Sequence, residues 1–184
     1  MNRMVLALLI VLWMVAAPLA VSVHASMSDS VRGSLKERFR ISRMEIQNEP
    51  VQGRVLNPAA ILVLQADGVS AKKFRTVQAN TKSPRFHVRD YAQAEVAPDG
   101  RLTAAPGDFG LAKGSQLVVL DLKIGSDEVR LFTHTLEPVR LADGKAAYGC
   151  TEFVFRFEPG VLDRGDVVAV ERRIGEFLTP ASAK

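Results

Sequence analysis

Residues 117–136 carry the strongest constraint on the fold, an alternation of period two. Val118, Leu120, Leu122 and Ile124 are interleaved with Leu117, Val119, Asp121 and Lys123. After Gly125-Ser126-Asp127 comes a second set, Val129, Leu131 and Thr133 interleaved with Glu128, Arg130, Phe132 and His134. In a strand, successive side chains leave opposite faces, and a short Gly-containing connection joins antiparallel neighbours. The expectation is a β-hairpin with one face on a core and the other in water, His134 sharing the outer face with Arg130 and Phe132.

Other elements are read around this hairpin. Asp143-Gly144 introduces a strand from Ala146 to Phe157 with Thr151, Phe153, Phe155 and Phe157 on one face, and Glu158-Pro159-Gly160 stops it. Upstream, Leu56-Asn57-Pro58 opens a compact apolar strand from Ala60 to Gln65; Asp67-Gly68 then marks a turn and a tight return into Val69 and Ser70. Residues 70–115 are the least regular part, punctuated by Ser83-Pro84, Pro98-Asp99-Gly100, Pro106-Gly107-Asp108 and Lys113-Gly114-Ser115, where short strands and functional loops both fit.

Helical spacing occurs near each end. Val31, Leu35 and Phe39 recur every four residues behind Ser28 and Asp29 as N-caps, which predicts a short amphipathic helix from Ser28 to Phe39, weakened by about 1 kcal/mol at Gly33. Val167, Val170, Ile174, Phe177 and Leu178 share a face behind the Asp163–Asp166 pair. Strands in the middle with a helix near each end predict an α+β domain. The first expectation is a small antiparallel β-barrel or twisted sheet, SH3-like, with a short N-terminal helix and a C-terminal amphipathic helix; the alternative is a half-open sheet covered by the C-terminal helix. The expected division is 1–25 as signal peptide, 26–55 as N-terminal helix and extended segment, and 56–184 as the β-rich domain.

The 1–25 segment argues for export. Asn2 and Arg3 lead an unbroken apolar run of fourteen residues from Met4 to Ala17, and Val23-His24-Ala25 offers small residues around a cut after Ala25. That is the pattern of a secretory signal peptide. The competing reading is an uncleaved anchor, since Met4 to Val23 is interrupted only by Pro18 and Ser22 and approaches the ~20 residues of a spanning helix. A periplasmic or secreted location is expected, with membrane contact only through this segment if it stays attached. The lone Cys150 rules out an internal disulfide; in an oxidising compartment it is either a buried, inert thiol or one half of an intermolecular bond.

Charge is unevenly spread. Residues 26–67 carry a net +1 and residues 90–184 a net −4, whereas residues 68–89 hold six cations and no acid. Those cations are Lys72, Lys73, Arg75, Lys82, Arg85 and Arg89, with Phe74, Phe86, His87 and Tyr91 among or beside them. Such a stretch can track an anionic polymer while its rings stack on the polymer's units, so Lys72, Lys73, Phe74, Arg75, Lys82, Arg85, Phe86 and Arg89 form the candidate ligand-binding set. The plainer reading is a solvated loop whose cations pair with the acidic C-terminal half, each exposed pair contributing about 0 to 1 kcal/mol. Given an export signal, lipid head groups, a cell-wall polymer or an acidic protein face fit as partners and nucleic acid does not.

Little in the sequence points to catalysis. Beyond the signal segment only His87, His134 and Cys150 remain for imidazole or thiol chemistry, with Asp90 placed to orient His87 and a Cys150–His134 dyad conceivable. No Cys-x-x-Cys, His-Glu-x-x-His or Cys-x-x-Cys-His run is present, so no metal or haem is expected and no other cofactor is implied. Ser70-Ala71-Lys72-Lys73 matches a bare Ser-x-x-Lys string without the Lys-Thr-Gly or Ser-Asp-Asn that accompanies it in penicillin-interacting enzymes.

Taken together, Leu35-Lys36-Glu37-Arg38-Phe39, Ile61-Leu62-Val63-Leu64-Gln65-Ala66-Asp67-Gly68, the hairpin from Lys113-Gly114 to Leu131, and Phe153-Val154-Phe155-Arg156-Phe157-Glu158-Pro159-Gly160 resemble a group of uncharacterised exported bacterial proteins over most of residues 35–178. The resemblance implies an envelope location and a compact β domain, and it transfers no functional residues. The expected role is therefore a non-enzymatic envelope module that binds a protein or an anionic polymer. The alternatives are an assembly protein acting by self-association and a small envelope hydrolase.

Overall fold

The computed structural model describes residues 21–44, 53–74, 76–79, 85–88 and 90–181. In chain order the elements are α1 (Val21–Arg38), β1 (Ile61–Leu64), β2 (Ser70–Lys73), β3 (Thr76–Ala79), β4 (Arg85–Val88), β5 (Ala92–Val96), β6 (Leu102–Ala104), β7 (Phe109–Gly110), β8 (Gln116–Ile124), β9 (Glu128–Thr135), β10 (Val139–Arg140), β11 (Ala146–Ala147), β12 (Gly149–Arg156), α2 (Val167–Gly175) and β13 (Leu178–Pro180). Nine strands form one sheet, curled into an open half-barrel, with the order β13-β1-β8-β9-β12-β2-β7 and a branch through β5 to β6. With its two helices the molecule is α+β and mostly β.

The β8–β9 hairpin is the centre of this sheet, and its alternation has one fault that the sequence hides. Val119 faces Thr133 while Asp121 faces Phe132, so Leu120 is an extra residue on β8. A bulge of one residue reverses which face the following side chains take. Leu117 and Val119 enter the core before it and Leu122 and Ile124 pack against the core after it, so Val118 and Leu120 do not share their face.

β12 is the most enclosed strand, with every residue from Gly149 to Phe155 buried. It runs antiparallel to β9 along one edge; along the other it pairs with β2 at Gly149 and Cys150 and then, in parallel, with β5 from Thr151 to Phe155. Phe153, Phe155 and Phe157 face the main core as the alternation requires. The expected continuous strand from Ala146 breaks at Tyr148, where β11 turns aside to pair with β10.

Both helices close the same core. Val31 and Leu35 from α1, Phe39 just after it, and Val170 and Ile174 from α2 are almost fully buried with Leu64, Leu131 and Phe155 of the sheet. Glu171 of α2 ties the helices together, accepting from Ser34 Oγ at 2.5 Å and from Arg38 at 2.7 Å. α1 is already under way at Ser28, so Ser28 and Asp29 are not its caps; residues 21–27 contain no Gly or Pro to stop it. For α2, Asp166 is the N-cap, its side chain accepting from Ala169 N at 3.0 Å. Leu178 leaves the helical face to open β13 opposite Leu64, because the helix ends at Gly175.

Asp67-Gly68 does turn the chain, with Gly68 at φ +77°. It does not close a hairpin. β1 pairs with β8 and β13, whereas β2 crosses to β12 and β7, since the apolar β1 is taken up between two strands of the other side of the sheet. Among the described residues, no helix is long and apolar enough to cross a membrane; the N-terminal apolar run from Met4 to Ala17 lies outside them.

Candidate functional site

Two strands of the basic segment make an arm. β3 and β4 form a separate two-stranded sheet, pairing Thr76 with Val88, Val77 with His87, Gln78 with Phe86 and Ala79 with Arg85. Of the candidate ligand-binding residues, Arg85 and Phe86 are at successive positions of β4, while Arg75, Lys82 and Arg89 lie outside the described residues. Lys72 and Lys73 are half-buried on β2, the strand that leads into the arm. Lys72 Nζ stands 3.9 Å from Asp90, an open ion pair of the kind the plainer reading expects, and Asp90 is thereby engaged by a cation. Asp108 accepts from the backbone N–H of Lys73 at 2.8 Å.

Phe74 turns away from any ligand. It is buried with Tyr148 and Cys150 in a small second cluster, against which Met44 and Phe132 pack. The extended backbone of β2 also separates Ser70 from Lys73, since residues three apart on a strand leave opposite faces. The Ser-x-x-Lys string therefore makes no nucleophile and base.

His134 belongs to the second cluster's packing and is fully buried, which corrects its expected place on a wet outer face. It does leave the sheet on the side away from the main core; what covers it is non-local. Tyr148 stacks on the ring with centroids 5.2 Å apart, and Phe74 meets it edge-on, also at 5.2 Å. Gly53, at φ +108°, completes the cover: a Cβ there would stand 2.6 Å from the Phe74 ring and 3.1 Å from His134 Nε2. Burial pushes the imidazole down from 6.5 to about 4, with the Thr135 carbonyl acting against it.

Cys150 is directly opposite His134 in the β9–β12 ladder, so the residues of the conceivable dyad are neighbours. Their chemistry is nonetheless shut off. Burial pushes the Cys150 thiol up to about 12 while it pushes the imidazole down, so each is held neutral where a thiolate–imidazolium pair would need both charged. Cys150 is wholly buried, and a bond to another molecule would require the strands over it to part.

Beyond this cluster, the same side of the sheet carries a charged ladder that sequence reasoning missed. Glu128 Oε1 pairs with Arg130 Nε at 2.5 Å and Glu128 Oε2 with Arg156 at 2.5 Å; Arg130 reaches Glu152 at 3.4 Å and Arg156 reaches Glu95 at 3.5 Å. The Arg130 bond, the largest influence, holds the Glu128 carboxyl below its usual 4.5 against the opposing effect of burial. Its signal is present in the polar positions of β5, β9 and β12, but only the register brings the five side chains together. An open cleft of about 440 Å³ lies between Arg54, Val55 and Pro58 on one side and Leu136, Pro138 and Tyr148 on the other.

Among the described residues, no three His, Cys, Asp or Glu side chains are grouped to hold a metal ion. Comparison with known proteins finds no matching family model, no matching curated protein and no matching solved structure.

Proposed function

We propose that this chain is an exported cell-envelope protein without catalytic activity, a binding module that takes an anionic envelope polymer on its basic arm. One observation carries the reading: the segment with six cations and no acid contains two strands that, among the described residues, pair only with each other. A two-stranded sheet separate from the main one offers backbone edges to a partner, and a cation-rich sequence gains most from a polymer that presents anions at repeated spacing. The pattern of residues 1–25 supports the export part. The neutral, buried states of His134 and Cys150 support the non-enzymatic part.

Co-sedimentation of the protein with sacculi, and separately with anionic lipid vesicles, across a salt titration tests the reading. Binding to sacculi that falls steeply with salt is expected, and replacing Lys72, Lys73 and Arg75 by Ala is expected to weaken it and flatten its salt dependence. Binding that the triple variant leaves unchanged removes the arm from the reading. Failure to bind either fraction moves the partner to an acidic protein.

The SH3-like relation belongs to this proposal as its finer part, supported by a curled, mostly antiparallel sheet around the main core. Self-association is the second reading, favoured by the edge strands β6, β7 and β13, each paired in the sheet on one side only among the described residues. Light scattering that finds a monomer at high concentration, with and without reductant, counts against it.

A further inference from the structure

His134 has one ring nitrogen satisfied and one bare. Nδ1 lies 2.7 Å from the carbonyl oxygen of Thr135, and a carbonyl only accepts, so Nδ1 carries the proton of the neutral ring. Nε2 is then a lone pair, out of water and without a hydrogen-bond partner. Buried polar groups of that kind are uncommon and call for a reason.

Among the described residues, what covers Nε2 comes from three separate pieces of chain. Gly53 begins the strap of residues 53–58, Phe74 is the last residue before the arm, and Tyr148 is the break between β11 and β12. The strap is held to residues 40–43 by an isolated bridge between Arg43 and Asn57, while Ala59, just beyond it, donates to Ser42 Oγ at 2.9 Å; β2 is anchored to β7 and the main core at Ser70 and Ala71 and meets β12 at Lys72 and Lys73, with Phe74 N donating to the Tyr148 carbonyl at 2.8 Å. β9 itself is gripped along its length by β8 and β12, and its other face presents Val129 and Leu131 to the main core.

The groups facing the ring offer nothing to an imidazolium. Tyr148 lies on its face, Cys150 stands across from it on β12, and Val118 is its partner on β8. The charges next to these segments in the chain are the cations Arg54, Lys72 and Lys73; the carboxylates that meet them, Asp90 and Asp108, are engaged by Lys72 Nζ and by the backbone N–H of Lys73. A proton on Nε2 would add a buried charge and a donor with no acceptor, and the cover is easier to lift than the strand is to move.

We propose that His134 is an acid-sensitive latch: neutral, it holds the 53–58 strap and the root of the basic arm against the sheet, and protonated, it releases both while the main core stays folded. The latch stands whether or not the arm takes an anion.

Hydrogen exchange of the whole protein, corrected for the intrinsic pH dependence of exchange, tests it at pH about 7.5 and about 5.5, with His134→Phe, which keeps an aromatic ring, and His134→Gln, which keeps a polar group. In the wild type, opening of residues 53–58, 72–74 and 76–79 is expected to rise about tenfold at the lower pH, with residues 151–155 of β12 unchanged. Both variants are expected to exchange alike at the two pH values. The proposal is overturned if the wild-type segments do not respond, if β12 loses protection together with them, or if either folded variant responds as the wild type does. Should one variant fail to fold, the other decides by the same comparison.

Discussion

A buried imidazole makes stability depend on pH in a direction fixed by its environment. His134 binds its proton with an ordinary value of 6.5 when unfolded and about 4 when folded, so the unfolded chain takes up the proton first. Stability from this residue is complete above pH about 6.5 and drains away as pH falls toward 4, by at most about 3 kcal/mol. Urea denaturation of wild type and His134→Phe across that range checks it, the variant being expected to show the shallower fall. Glu128, held below 4.5 by Arg130, sheds its own contribution only as pH drops through and below that value, so the two residues act in different windows. Cys150 is expected to resist thiol reagents in the native protein and to react fully in denaturant, read by absorbance of the released chromophore. At Gly149, a Cβ would stand 2.6 Å from the Phe109 ring and 2.7 Å from Ala71 Cβ. Gly149→Ala is therefore expected to cost about 1 to 3 kcal/mol, measured by denaturant titration. That a His and a Cys exist was plain in the sequence; that they face each other and are kept neutral depends on residues up to about eighty positions away.

Elements differ in how much of their behaviour was written locally. α2 starts where its Asp166 cap predicts, and removing that cap in Asp166→Ala is expected to cost about 1 kcal/mol, measured by thermal or denaturant unfolding. The hairpin from β8 to β9 was legible because its turn and its period agree. Its bulge at Leu120 was not, since a run of apolar residues from Leu117 to Leu120 satisfies either face and only pairing with β9 decides between them. The arm is the opposite case: the charges of residues 68–89 were visible, but weak periodicity concealed the β3–β4 hairpin among them. Likewise, Asp67-Gly68 announced a turn and not a partner. A turn fixes the direction in which the chain leaves; which strand it joins is set by where apolar surface remains to be covered.

At the scale of the molecule, one core is shared by α1, α2 and the curled sheet. A chain starting at residue 56 would lose Val31, Leu35 and Phe39, all nearly inaccessible. It is expected to lose cooperative unfolding and to bind a hydrophobic dye, checked by fluorescence beside the same measurement on the full chain. Within the sheet, the antiparallel pairs joined by short turns follow from sequence, whereas β5 beside β12 is a parallel pair separated by more than fifty residues and leaves no local trace. The candidate site divides in the same way. Charge balance, the strand alternation and the cap of α2 were determined by the sequence alone, because each depends on residues within a few positions of one another. The Leu120 register shift, the charged ladder, the aromatic cover over His134 and the independence of the arm were decided only by tertiary structure, because each requires distant segments to compete for the same strand edge or the same patch of apolar surface.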